Sequence, residues 1–241
     1  MSLPEHDAPA PDAPETPESP DHGLDSARET LLDALPEHVV FDGWSRVAID
    51  AAAAETDMPE DLARLAFPNG IDAAAAFHRR GDRLMKQALL DQPLSDMGMT
   101  AKVTLAIRLR LEAVEPQKEA VRRAAALFAL PINAARGARL IWDTADAIWT
   151  ALGDTSEDLS RYSKRATLSA VYSSTVLYWL GDESEGHEDT WAYLDRRISD
   201  VMKIEKAKAK ARANPLGRMA AGGAEAISRG LKARRPGRAA G

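Results

Sequence analysis

Cysteine is absent from this chain, and so is any long uninterrupted apolar stretch. With no cysteine among the 241 residues, a disulfide framework, a thiolate metal site and a cysteine nucleophile are excluded. No run of about 18 uncharged apolar residues occurs, so no segment is predicted to span a bilayer. The N-terminus is acidic and proline-rich without an apolar run, unlike a signal or transit peptide. These absences predict a protein that is cytosolic or peripherally attached to a membrane.

Recognisable catalytic motifs are missing as well. The five histidines are scattered without metal-ligand spacing. No nucleophile elbow, phosphate-binding loop, dinucleotide fingerprint or zinc-protease motif is found. The acids around His187 fall in a glycine-containing turn, which predicts a solvated loop. We therefore predict a protein that is not an enzyme and that uses neither a metal nor a cofactor.

What the chain does have is an uneven distribution of charge. The first 27 residues contain seven acids and no base, whereas residues 203–241 contain eleven Lys or Arg and two acids. The middle, 28–202, has a net charge of 20 − 28 = −8. Residues 1–25 are predicted to be a disordered acidic head, because they are rich in proline and have little to bury. The cationic end predicts a partner of negative charge for that end.

The cationic tail, residues 213–241, also has helical periodicity. Apolar residues recur there at spacings of three and four, with basic residues between them. Such a pattern is typical of a helix that lies flat on an anionic membrane. The predicted membrane-binding residues are Leu216, Arg218, Met219, Ile227, Arg229, Leu231 and Lys232. The alternative is a disordered basic tail that binds nothing in particular.

The rest of the chain predicts an all-α fold. Alanine, leucine, arginine and glutamate are frequent from Ser26 to Arg212, with boundaries at proline and glycine. About nine helices are predicted, near 26–35, 45–55, 59–67, 72–90, 100–114, 116–130, 132–152, 157–180 and 188–212. The predicted organisation is a helix-turn-helix-like head at 26–90 and a lipid-binding and dimerisation bundle at 91–212.

One segment alternates as a strand would. Val103, Leu105, Ile107, Leu109 and Leu111 are apolar at every second position. No second strand is available to pair with this segment, so we predict a helix. Because a helix would be apolar on two sides, it is expected to lie buried at the centre of the bundle.

The helix-turn-helix-like head has the rhythm of a DNA-binding domain but the wrong charge. Residues 44–67 contain two arginines, Arg46 and Arg64, against five acids, a net charge of −3. Phosphate contacts need cations, so this face is predicted to bind DNA poorly. The basic tail lacks aromatic residues on which bases could stack. Nucleic acid is therefore not an expected partner.

Several segments, in their order, resemble a known family. They are Arg108–Arg110, Pro116, Ala147–Asp154, Tyr162–Ala166 and Asp189–Leu194. Together they resemble the coenzyme-Q biosynthesis protein nine family over about 28–205. The resemblance implies a tetracycline-repressor-type helical fold, a homodimer, and binding of isoprenoid quinones or phospholipid at the surface of the inner membrane. It also implies presentation of quinone intermediates to the di-iron demethoxyubiquinone hydroxylase, without catalysis.

The resemblance also implies a partner-binding patch at the start of the eighth helix. Asp154, Tyr162, Lys164 and Arg165 match that patch. Arg161 departs from it, since relatives have a tryptophan before the tyrosine. The alternative for this stretch is an ordinary capped helix start.

A helical bundle with several tryptophans and few polar residues at inward positions could enclose a lipid tail. The predicted lipid-binding residues are Ile107, Leu111, Leu127, Trp142, Trp149, Leu177 and Tyr178. The alternative is that the tryptophans only fill the core. Two function classes remain open: a lipid-presenting accessory protein, and a tetracycline-repressor-like transcription regulator with a hydrophobic ligand pocket. The charge of 44–67 and the tail favour the first.

Overall fold

The computed structural model describes residues 20–156 and 159–213, with side chains described for 23–156 and 160–203. The described residues form α-helices without strands, as predicted. The helices are α1 (Pro20–Asp42), α2 (Arg46–Glu55), α3 (Glu60–Ala66), α4 (Gly70–Leu90), α5 (Met99–Glu112), α6 (Lys118–Ala129), α7 (Ala134–Ala151), α8 (Leu159–Gly181) and α9 (Glu188–Ala213). Short 3₁₀ turns precede α5, α6 and α9.

Helix α1 is longer than the sequence pattern predicted. It begins at Pro20, so the prediction of disorder is wrong for residues 20–25; residues 1–19 lie outside the described part. The helix also continues through Pro36, where we had expected it to end. Leu31, Leu35 and Val39 are fully buried on both sides of that proline. Their burial stabilises the helix by several kcal/mol, about enough to offset the roughly 3 kcal/mol cost of an interior proline.

The chain divides into two compact units whose boundaries differ from the predicted one at residue 90. Of the described residues, the head unit comprises those up to His78 together with Glu119–Leu130. The bundle unit comprises Arg79–Lys118 and the described residues from Pro131 onward. Most of α6 therefore belongs with the head unit.

Trp44, just before α2, contacts α6 within the head unit. Its indole Nε1 donates a hydrogen bond to the Ala120 carbonyl (3.0 Å), and its ring lies 5.2 Å from that of Phe77. Gly70 begins α4 directly against the Trp44 carbonyl, where a Cβ would overlap the backbone. Ser45 caps α2 as predicted, since its Oγ accepts the Ala48 amide (3.2 Å).

In the bundle unit, α7 packs against α8, α8 against α9, and α5 against both α7 and α9. The prediction of a helix at 100–114 is confirmed, and Val103, Ile107 and Leu111 are buried. The expectation that α5 is buried on two apolar sides is wrong, because Leu105 and Leu109 are only half-buried.

The bundle interior contains a polar network that the sequence did not predict. Arg110 is 3% exposed, and its Nε donates to Asp82 Oδ1 (2.7 Å). Thr144 Oγ1 donates to the same carboxylate (3.0 Å). Burial raises the pKa of nearby Tyr172 to about 12, with Arg110 opposing that rise and Asp82 adding to it, so the phenol stays protonated. The expectation of few polar groups in the interior is therefore wrong: α4, α5, α7 and α8 each contribute one.

Gly81 makes room for this network. A Cβ at Gly81 would overlap the Arg110 guanidinium, which Asp82 holds in place. We expect Gly81→Ala to lower the free energy of unfolding by about 1–3 kcal/mol, because the ion pair must shift. An alanine inside a helix otherwise gains up to about 1 kcal/mol. Gly23→Ala, where a Cβ meets open space, is the control in urea denaturation; equal effects of the two changes would contradict this explanation.

Candidate partner-binding site at the junction of α7 and α8

Helix α7 ends in a hydrogen-bonded turn that needs a glycine. Gly153 has φ +80°, a left-handed conformation that glycine adopts without strain. Its amide donates to Thr150 O (3.0 Å), and the Asp154 amide donates to Trp149 O (2.9 Å). This pair of bonds satisfies carbonyls at the helix end. The turn brings the Asp154 carboxylate back toward the first turns of α8.

An ion-pair network then joins α7, the turn and α8. Lys164 Nζ donates to Asp154 Oδ1 (2.6 Å), and Arg165 Nη1 donates to Asp154 Oδ2 (3.1 Å). Arg165 Nε also donates to Asp146 on α7, and Arg161 Nη2 lies 3.4 Å from the same carboxylate. The network thus holds the start of α8 against the end of α7.

The pKa values follow from these contacts. The Lys164 hydrogen bond, helped by those from Ser156 and Arg165, holds the pKa of Asp154 far below its usual range, although burial acts in the opposite direction. Burial opposes the charge of Arg165, but its hydrogen bonds to Asp146 and Asp154 raise its pKa above the ordinary value. Asp154 and Arg165 are therefore both charged at neutral pH.

The five residues predicted for partner binding divide into two groups. The Asp154 and Arg165 side chains are almost completely buried, so a direct contact of either with a partner does not fit the structure. Their charged groups bond to one another and to neighbouring side chains, so their role is to position α8. Tyr162 is 60% exposed, and Arg161 and Lys164 are partly exposed. Asp146 was missed, since nothing in the sequence distinguishes it from other acids on a helix surface.

The predicted lipid-binding residues are not brought together as a set. Ile107 and Leu111 are in the core of the bundle unit, where Trp142 and Trp149 are half-buried. Leu127 is half-buried and belongs to the head unit. The prediction of an interior position is wrong for Leu177 and Tyr178, which are 67% and 40% exposed. Both lie on the solvent side of α8, and Tyr178 stacks on Tyr193 with ring centroids 4.5 Å apart.

Trp149 combines an apolar ring with an unsatisfied donor. Its indole Nε1 is buried and has no hydrogen-bond acceptor among the described residues. Lys164 Nζ lies 5.3 Å from the centre of its ring. A buried N–H without a partner is costly, so this position suits a ligand that supplies an acceptor.

The arginines of the helix-turn-helix pair are both engaged with acids of their own helices. Arg46 donates to Asp50 (2.7 Å) and to the Phe67 carbonyl (2.9 Å). Arg64 on α3 pairs with Glu60 one turn away. Their charges are thus largely neutralised where a DNA-binding domain would present cations to phosphates.

The predicted membrane-binding residues, Leu216, Arg218, Met219, Ile227, Arg229, Leu231 and Lys232, lie outside the described residues. So does the amphipathic helix predicted for them. Within the described residues, no helix is long and apolar enough to cross a membrane. The same residues contain no cluster of three or more His, Cys, Asp or Glu side chains placed to hold a metal ion.

The fold is that of the tetracycline-repressor (TetR) class. A TetR transcriptional regulator from Nitrosomonas europaea superposes with a TM-score of 0.61, covering 72% of this chain and 97% of the regulator at 20% identity. A TetR-family regulator from Streptomyces coelicolor gives a TM-score of 0.50, covering 87% and 99% at 16% identity. At these identities the likeness concerns the fold alone.

Sequence comparisons show what this chain is similar to. Residues 134–205 match the COQ9 family model. The protein named "Ubiquinone biosynthesis protein COQ9, mitochondrial" of Drosophila melanogaster is 30% identical over 76% of this chain and 57% of its own length. The "Probable ubiquinone biosynthesis protein coq9, mitochondrial" of Dictyostelium discoideum is 31% identical over 74% and 60%. The chain thus spans less than two thirds of these relatives. Residues 134–205 thus match the COQ9 model, and the chain is similar to COQ9 proteins, as the resemblance predicted.

Proposed function

We propose that this protein is a non-enzymatic accessory protein of ubiquinone biosynthesis. It binds isoprenoid quinone intermediates, or phospholipid, at the cytoplasmic face of the inner membrane and acts as a homodimer. It presents the quinone to the di-iron demethoxyubiquinone hydroxylase. The observation that carries the proposal is the COQ9 match over α7, α8 and α9, which includes the ion-pair network of Asp154 and Arg165.

The start of α8 supports the part of the proposal that concerns the hydroxylase. Tyr162 is 60% exposed, its ring lies 6.3 Å from that of Trp142, and the first turns of its helix are bonded to α7 and the turn through Asp146 and Asp154. Exposed tyrosines and arginines held on a rigid element are typical centres of protein interfaces. Arg161 stands where relatives have a tryptophan, so the hydroxylase surface that meets it is expected to offer an acid or an aromatic ring.

Two half-buried tryptophans of the bundle unit support lipid binding. The half-buried Trp142 and Trp149 rings offer apolar surface, and the unsatisfied indole N–H of Trp149 could bond a quinone carbonyl or a lipid headgroup. The basic, amphipathic sequence of the tail supports attachment to an anionic leaflet.

The lipid part of the proposal is tested by native mass spectrometry of the gently purified full-length chain. We expect a mass excess matching an isoprenoid quinone or phospholipid, together with the mass of a dimer. Organic extraction of the same sample identifies the lipid. A homogeneous protein without any lipid would contradict the proposal. Sequence-selective binding of duplex DNA at physiological salt would instead favour a transcription regulator.

The partner part is tested by replacing Tyr162 with alanine. We expect binding of the purified hydroxylase to weaken about fivefold or more, because truncating a tyrosine that anchors an interface costs over about 1 kcal/mol. Tyr178→Ala is the matched control, since it removes another exposed tyrosine of the same helix. Titration calorimetry gives both affinities. If the two variants bind equally well, the hydroxylase does not dock at Tyr162.

A further inference from the structure

The second half of α4 presents a row of cations to solvent. Arg79, Arg83, Lys86 and Leu90 follow one another at spacings of four, three and four, so they lie along one side of the helix. All four are exposed, and Leu90 is 76% exposed. The row extends for about 16 Å at 1.5 Å per residue. This part of α4 belongs to the bundle unit.

The exposed charge on this stretch has a single sign. Between Arg79 and Leu90, every residue of which is described, the one acid is Asp82, which is buried and paired with Arg110 (2.7 Å). Leu84, on the flank of the row, is 43% exposed. The next acids, Asp91 and Asp96, follow the end of the helix. The protein as a whole has a net charge of −6, so the cations of this row are concentrated against the general trend.

We propose that the row of Arg79, Arg83, Lys86 and Leu90 is a second membrane-contacting surface, which docks the folded bundle on an anionic lipid leaflet. Cations pair with lipid phosphates, and the exposed Leu90 at the end of the row enters the acyl boundary. An exposed leucine at the end of a row of cations suits a bilayer better than the phosphate backbone of a nucleic acid. The stretch also lacks aromatic residues for stacking bases.

This proposal rests on the membrane attachment in the proposed function. It adds a second contact with the leaflet, and it defines which face of the bundle lies toward the membrane. A single amphipathic segment anchors weakly, whereas two linked contacts bind far more tightly. With the tail and α4 both engaged, the bundle lies with one fixed face toward the leaflet.

The test is flotation of the full-length chain with phosphatidylcholine vesicles, with and without phosphatidylglycerol. We expect the triple variant Arg79→Glu, Arg83→Glu, Lys86→Glu to bind the anionic vesicles at least about tenfold less, with a weaker dependence on salt. Leu90→Gln is expected to reduce binding without any change of charge. The control is the triple variant Arg64→Glu, Arg122→Glu, Arg139→Glu, which makes the same charge change at exposed, dispersed positions.

The proposal is overturned if both triple variants bind alike, or if the wild-type chain does not bind anionic vesicles at all. It is also overturned if the α4 variant changes only the oligomeric state, since the row would then join two copies of the chain. Native mass spectrometry on the same samples reports bound lipid and subunit number. If the α4 triple variant no longer floats but still contains bound lipid, the α4 surface is supported. If the protein contains no lipid and its flotation still depends on α4, only the proposed function is contradicted. Circular dichroism shows that each variant is folded.

Discussion

Arg110→Met is expected to lower the free energy of unfolding by about 3–5 kcal/mol. The substitution removes the cation and leaves the Asp82 carboxylate in the interior, where the Thr144 hydroxyl is its one remaining partner among the described residues. A buried charge that has lost its partner costs about this much. Urea denaturation followed by circular dichroism measures the change. Arg108→Met is the control: Arg108, two residues earlier, is exposed and pairs with Glu112, so its loss is expected to cost less than about 1 kcal/mol.

A double variant separates the charge from the packing. Arg110→Met combined with Asp82→Leu removes both charges and fills the space with apolar atoms. Since apolar replacement of a buried ion pair is often neutral, the double variant is expected to be more stable than Arg110→Met alone. If the double variant loses as much stability as Arg110→Met and Asp82→Leu lose together, the two charges do not stabilise the fold as a pair.

Asp182→Ala is expected to lower the free energy of unfolding by about 2–3 kcal/mol at neutral pH. Asp182 Oδ1 accepts the Ser184 amide (2.8 Å), and Oδ2 accepts the Thr190 amide (2.9 Å) and hydroxyl (2.5 Å). The carboxylate thus caps the N-terminus of α9 from outside the helix. Its loss leaves buried donors without acceptors, each of which is costly. Asp195→Ala, an exposed acid on α9, is the control and should change stability by less than about 0.5 kcal/mol.

The contribution of Asp182 should also depend on pH. Burial raises its pKa, but the hydrogen bonds from Ser184 and Thr190 outweigh burial and hold the pKa well below its usual range. A carboxyl group whose pKa is lower in the folded state stabilises the fold above its unfolded pKa, near 4, and loses this effect as the pH falls further. The difference in stability between wild type and Asp182→Ala should therefore shrink on acidification below about pH 4. A constant difference would rule out the charge as the cause.

Local features were predictable from the sequence, and long-range ones were not. Ser45 predicted the start of α2 because a capping serine acts on the amide three residues later. Arg108 and Arg110 look equivalent in sequence, yet one is at the surface and the other is in the core. The difference depends on Asp82, 28 residues away, and on the missing Cβ of Gly81, neither of which leaves a periodic signal.

Long-range contacts at the candidate site were likewise not predictable from the sequence. The resemblance located the start of α8, but it gave Asp154, Tyr162 and Arg165 the same role. Asp154 and Arg165 are buried and bond to each other at the junction of α7 and α8. Asp146, which also bonds to Arg165, was not predicted. The lipid-binding prediction also placed Leu177 and Tyr178 in the interior, but α8 buries Val171, Tyr172 and Trp179 instead.

The ion-pair network between α7 and α8 affects the free energy of binding of any protein that docks there. Arg165 is fixed by two carboxylates, so the backbone that carries Tyr162 is already ordered before any encounter. A docking protein would then restrict little more than the rotamers of the tyrosine ring, and the entropic penalty of association would be correspondingly small.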